Sequence, residues 1–149
     1  MIIKVQSLLG SPGSYSWGSA VTLCAGSDVQ GPEEWALNDD PLTEVVPVLG
    51  ASFQTIIDRG NRLHDISFKV TNQQADVITA QARSLILSAT LPARGLISFQ
   101  PDTWQHSIGT IYYAIGSVKF SLTQIGISTI ETYTIQCGQI TTTIPVASP

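Results

Sequence analysis

Charge is what this chain most lacks. Charged residues fill 12% of its 149 positions, seven basic and eleven acidic. An average soluble chain carries about a quarter. Hydrophobic residues make up 43%, and mean hydropathy is +0.20. A free monomer keeps a charged surface for solubility. A chain without one belongs in a membrane or has surface that partners cover. Long apolar runs are also missing. No stretch reaches the roughly 18 apolar residues of a membrane helix, because Gly, Ser, Thr, Gln or Asp breaks each candidate. Membrane insertion is therefore not expected, and covered surface is. Met1-Ile2-Ile3-Lys4 opens no signal peptide, since Gln6, Ser7 and Gly10 interrupt the apolar core one needs. Cysteine is scarce: Cys24 and Cys137 alone. In a chain made in the cytosol both are expected as reduced thiols, with a Cys24–Cys137 bridge left open.

Catalytic and ligand signatures are absent as well. There is no GxGxxG, P-loop, GxSxG or HExxH. Cys24, His64, His106 and Cys137 lie too far apart in sequence to resemble the close pairs of structural zinc. His64 and Asp65 are strand neighbours, so they point to opposite faces and form no dyad. Glu33-Glu34 and Asp39-Asp40 lack the spacing of a calcium loop. No enzyme activity, catalytic residue, metal or cofactor is expected. Trp17, Trp35 and Trp104 lie near predicted loops or strand ends, where aromatics stack on sugars or anchor interfaces. A carbohydrate- or receptor-binding β-sandwich is thus the alternative reading.

What charge there is lies unevenly. Residues 1–50 carry a balance of −5, residues 51–100 one of +2, and residues 101–149 one of −1. No basic stripe of a nucleic-acid binder exists. The acidic part, with Glu33, Glu34, Asp39 and Asp40 around Trp35, faces a mildly basic turn with Arg59 and Arg62. These seven residues are the candidate subunit contact.

At this length one domain is expected, residues 1–149, large enough to fold without a disulfide. The spacing predicts strands over Ile2–Leu9, Trp17–Cys24 and Glu44–Leu49, the last with Pro47 inside it. Residues 25–43 read as a long irregular interaction loop, with Pro32–Leu37 able to form one helical turn. A hairpin follows over Phe53–Val70, turning at Arg59-Gly60-Asn61, with Ile66, Phe68 and Val70 on one face. A single helix is predicted over 72–91, capped by Thr71 or Asn72 and ended by Pro92. Its core stripe reads as Ala75, Ile78, Ala82, Leu85, Ile86 and Ala89. Then come strands over Leu96–Gln100, Thr110–Thr123 and Ile127–Gly138, the last two a long hairpin around Gln124-Ile125-Gly126. Residues 139–149 read as an extended C-terminal arm. The expected class is mainly β (α+β): an antiparallel β-sandwich or open barrel flanked by one helix. The closing strands are poor in the Lys, Pro and bulges that guard sheet edges, so neighbours or the fold itself must cover them.

This order of elements resembles a known family. The hairpin with its Asp58-Arg59-Gly60-Asn61-Arg62 turn, the one helix, the Leu91-Pro92-Ala93-Arg94-Gly95 that leaves it and the closing long hairpin resemble bacteriophage tail proteins. The likeness is to tail-tube and distal-tail (baseplate hub) β-sandwich proteins and covers residues 44–138. The resemblance implies a virion structural protein assembled in the bacterial host cytoplasm. It implies a homo-oligomer, a hexameric ring stacked with other tail proteins around a channel. DNA would pass through that channel without specific binding. It further implies that residues 25–43 and 139–149 reach neighbouring subunits.

Overall fold

The computed structural model describes residues 2–24, 34–41, 43–47, 50, 54–58, 63–101 and 109–149. Among them nine strands and one helix follow in order. They are β1 (Ile2–Ser11), β2 (Ser14–Cys24), β3 (Glu34–Asp40), β4 (Thr43–Pro47), β5 (Gln54–Asp58), β6 (Leu63–Gln73), α1 (Val77–Thr90), β7 (Gly95–Gln100), β8 (Tyr112–Ile125) and β9 (Ser128–Cys137). Seven strands form one sheet in the order β2-β1-β7-β8-β9-β6-β3. Every pairing in it is antiparallel. β4 and β5 make a separate two-stranded antiparallel sheet. The protein is mainly β, with a single helix among the described residues.

Alternation along each strand assigns one face of the large sheet to the core. Cross-strand registers put Ile3 and Val5 of β1, Ile97 and Phe99 of β7, and Ala114 of β8 on that face. Cys137, Ile135 and Tyr133 of β9 continue it, opposite Gly116, Val118 and Phe120 of β8. Ile66, Phe68 and Val70 of β6 complete it. The buried members form one cluster. The expected common face of Ile66, Phe68 and Val70 is therefore the buried one.

The sheet curls around this core. Trp35 and Leu37 of β3 line the same cleft as Phe99 of β7, four strands away. In a flat sheet they would stand roughly 19 Å apart. Gly95 and Gly116 pair across β7 and β8 on the concave face. A Cβ on Gly95 would lie 2.2 Å from the Gln6 carbonyl oxygen, and one on Gly116 2.3 Å from that of Gln136. Only glycine permits so close a backbone approach, and paired glycines are where strands bend most freely. The result is an open barrel of one coiled sheet.

Several expectations change. The hairpin over Phe53–Val70 does not form: β5 pairs with β4, and β6 is held on both sides by β9 and β3. Residues 25–43 are not irregular throughout, because Glu34–Asp40 is strand β3, paired along its length with β6. Of the helical turn expected over Pro32–Leu37, the described part, Glu34–Leu37, is strand. The helix starts later than predicted, at Val77. Thr71 and Asn72 belong to β6, opposite Ile130 and Thr129. Asp76 is the true cap, its Oδ1 accepting from the Thr79 N–H at 2.7 Å. The C-terminal segment also makes contacts within its own chain. Thr141 bridges to Tyr113, and the Trp17 indole N–H donates to the Pro145 carbonyl at 2.9 Å. The closing hairpin stands, with Ile125 paired to Ser128 across the turn.

Phe68 is 2% exposed and stacks on Tyr133 with ring centroids 5.0 Å apart. Phe68→Ala is expected to cost about 3–5 kcal/mol. Urea denaturation followed by tryptophan fluorescence measures it as a lowered midpoint with an unchanged slope.

Candidate functional site

Of the seven candidate contact residues, four are placed. Glu34, Trp35, Asp39 and Asp40 are exposed along β3, an edge of the large sheet. Glu33, Arg59 and Arg62 lie outside the described residues, so the acidic-to-basic contrast has only its acidic side described. Alternation splits β3. Trp35, Leu37 and Asp39 oppose Phe68, Ile66 and His64 on the core face, while Glu34 and Asp40 take the other. The two described tryptophans stand apart. Trp35 sits at the β3 edge, Trp17 is half-buried against the C-terminal arm, and Trp104 lies outside the described residues.

Beside Trp35 is an apolar cleft of about 240 Å³, lined by Trp35, Leu37, Ile66, Phe99, Pro101, Tyr112 and Ile140. It opens just past the end of β9, where the sheet has lost a strand and Ile140 packs against the core instead. At the same end Asp39, His64 and Cys137 stand in register across β3, β6 and β9. Alternation did place His64 and Asp65 on opposite faces. What the sequence concealed was this cross-strand row, since pairing partners are set by topology. His64 Nδ1 is 3.6 Å from Asp39 Oδ1. The row has the residue types of a thiol nucleophile site but not its electrostatics. Burial, and then the Asp65 charge, push the Cys137 thiol up to about 11. A nucleophilic cysteine needs the opposite shift. Cys24 and Cys137 are both buried and form no disulfide.

The most unusual group is Glu131. It lies on the core face of β9, 0% exposed. Arg83 of α1 reaches down with two bonds, Nε to Oε1 at 2.8 Å and Nη2 to Oε2 at 3.2 Å. Thr129 Oγ1 donates to Oε1 at 3.2 Å, and the Tyr133 hydroxyl donates to Oε2. A buried carboxylate survives only when paired and hydrogen-bonded like this. Burial by itself raises the Glu131 carboxyl, but bonds from Arg83, Tyr133 and Asn72 outweigh it and hold it below its ordinary 4.5. The Tyr133 hydroxyl is pushed well above its ordinary range by burial and by the carboxylate beside it. The sequence carries a sign of this site. Glu131 shares parity with Thr129, Tyr133, Ile135 and Cys137, so a charge falls on an apolar face.

Arg83 decides how the helix sits. The side of α1 that meets the sheet carries Ala80, Arg83, Ser84 and Leu87, all buried or half-buried. Most of the predicted core stripe points the other way, although Ala82 is half-buried. Ile78 is 77% exposed, Leu85 73% and Ile86 50%. At 100° per residue, Ile78, Ala82, Leu85 and Ala89 stand almost opposite Ala80 and Leu87. The more apolar side of the helix faces outward.

Removing one partner of the buried pair should be severe. Arg83→Met is expected to cost roughly 3–5 kcal/mol, and Arg83→Met with Glu131→Leu to recover most of it. A thermal double-mutant cycle tests both. The pair also sets an acid dependence. Glu131 binds its proton less readily folded than unfolded, so the unfolded chain protonates first as pH falls. The pair's stabilisation is complete above pH 4.5 or so and is lost as pH drops through the lowered folded value. Urea titrations on the wild type and the apolar double variant should diverge there, the wild type alone losing this contribution. The native thiols should resist Ellman's reagent at pH 8 and react once the chain is denatured. No protein-family model matches the chain, and no curated protein matches it.

Proposed function

We propose that the protein is a structural subunit of a phage tail, in the tube or the distal-tail hub of the baseplate. Subunits assemble into rings, hexameric in the expected case, around a central channel for genome delivery. The protein acts by shape and assembly. Its localisation is the virion tail, its partners are copies of itself and other tail proteins, and DNA slides past without specific binding. The observation that supports this reading best is the outward apolar side of α1. A free monomer would gain by turning Ile78 and Leu85 inward, at about 1.5–3 kcal/mol for each side chain fully buried. A subunit that finishes its surface by joining others has no need to. The charge-poor composition supports the same reading, as do the two sheet edges, β2 and β3, that no described strand pairs.

In this reading the acidic β3 edge of one subunit meets Arg59 and Arg62 of the next. Arg59→Glu with Arg62→Glu should lower ring yield in negative-stain microscopy while circular dichroism stays that of the folded chain. Unchanged assembly would sink that contact. The function itself is tested by native mass spectrometry of the concentrated protein and by proteomics of virions from cells that carry the gene. Rings or tubes, with the protein in purified tails, are expected. A strictly monomeric protein that is absent from virions would overturn the assignment.

A further inference from the structure

Beside the C-terminal segment lies a pocket of about 220 Å³ that shares no residue with the Trp35 cleft. Distant parts of the chain wall it: Leu8 of β1, Trp17 of β2 and Ile115 of β8. Ser148 and Pro149 stand beside them, and Arg94, just before β7, completes the lining. The pocket is on the side of the sheet away from the core, because Ala114 takes the core face and Ile115 alternates with it. Leu8, Trp17 and Ile115 are each half-buried. The Trp17 indole N–H is already committed to the Pro145 carbonyl at 2.9 Å, so what its ring offers a ligand is apolar. The same bond anchors the C-terminal segment where Ser148 and Pro149 border the pocket.

Arg94 gives the pocket its sign. It is exposed, and among the described residues no acidic side chain pairs with it. A guanidinium is a rigid fork of donors that fits a carboxylate with two parallel bonds. One positive charge suits one negative charge. The other polar side chain in the lining is the Ser148 hydroxyl, so a doubly charged phosphate would be left short of donors. Size limits the rest of the ligand. Drug-sized ligands occupy pockets of about 300–1,000 Å³, and this one is smaller. A short apolar body fits against Leu8, Ile115 and the Trp17 ring, and each methylene it buries adds to affinity.

We propose that this pocket binds a small monocarboxylate with an apolar body, its carboxylate on Arg94 and its body against Leu8, Trp17 and Ile115. The site rests on observations separate from those behind the tail reading, so either can fail alone. The probe is octanoate, with octan-1-ol (the same chain without the charge) and acetate (the charge without the chain) as controls. Calorimetry should show one saturable octanoate site per chain, with each control bound about tenfold more weakly or worse. Arg94→Gln should weaken octanoate by about tenfold, the worth of a charge-assisted hydrogen bond, and leave octan-1-ol unchanged. Arg94 is exposed, so the variant should melt at the wild-type temperature. The location is read from the Trp17 indole N–H resonance, assigned with Trp17→Phe. It should move on octanoate titration while that of Trp35 stays in place. Absence of saturable binding, octan-1-ol binding as tightly as octanoate, indifference to Arg94→Gln, or a shift at Trp35 in place of Trp17 would each overturn the proposal.

Discussion

The pairing of Glu131 with Arg83 is the constraint on which the arrangement of this protein turns. A carboxylate at full burial has few tolerable environments. Here it takes two bonds from a guanidinium and one each from a threonine and a tyrosine hydroxyl. The guanidinium arrives from the helix, so the helix must keep one side over the end of β8 and β9. That side also carries Ala80 and Leu87, the two buried residues of the helix. The hydrophobic preference of the helix is overruled. Its larger apolar side chains stay outside.

The sheet makes the pocket for this pair. A flat seven-stranded sheet would leave its apolar face open to water. Coiling brings β3 and β6 toward β7 and closes the concave side over Tyr133, Phe68 and Ile97. Glycines at 95 and 116 allow the bend where strands approach too closely for a side chain. The C-terminal arm then covers part of the convex side through Trp17 and Pro145. The backbone of Thr141 pairs with that of Tyr113 in the same chain.

Burial of charge inside and exposure of leucine outside have one origin. The chain has few charged groups, and one basic and one acidic residue are committed to the interior pair. What remains on α1's outer side is apolar and uncharged. The acidic strand β3 lies on a sheet edge with Trp35 beside an apolar cleft. In the proposed reading these are the surfaces that neighbouring subunits would cover. The buried Cys137, its thiol pushed up to about 11 beside His64, contributes packing and offers no activated nucleophile.

Much of the fold was legible in the residues. Alternation located β1, β2, β6, β7, β8 and β9 within a few positions and gave the buried parity of Ile66, Phe68 and Val70. Pro92 ended the helix where expected. Alternation also indicated a mainly β chain. The sequence could not decide partners. Asn72 was as good a cap as Asp76 until its strand paired with β9, and the Arg59-Gly60-Asn61 turn read as a hairpin until β5 paired with β4. Glu34–Asp40 resembled loop because its polarity is that of an edge strand, a place only the sheet can define. Above all, periodicity established that α1 has an apolar stripe, and nothing in a helical pattern states which way a stripe points. That was decided by a single buried carboxylate on another element, 48 residues downstream of Arg83, because an unpaired charge costs more than several exposed methyl groups.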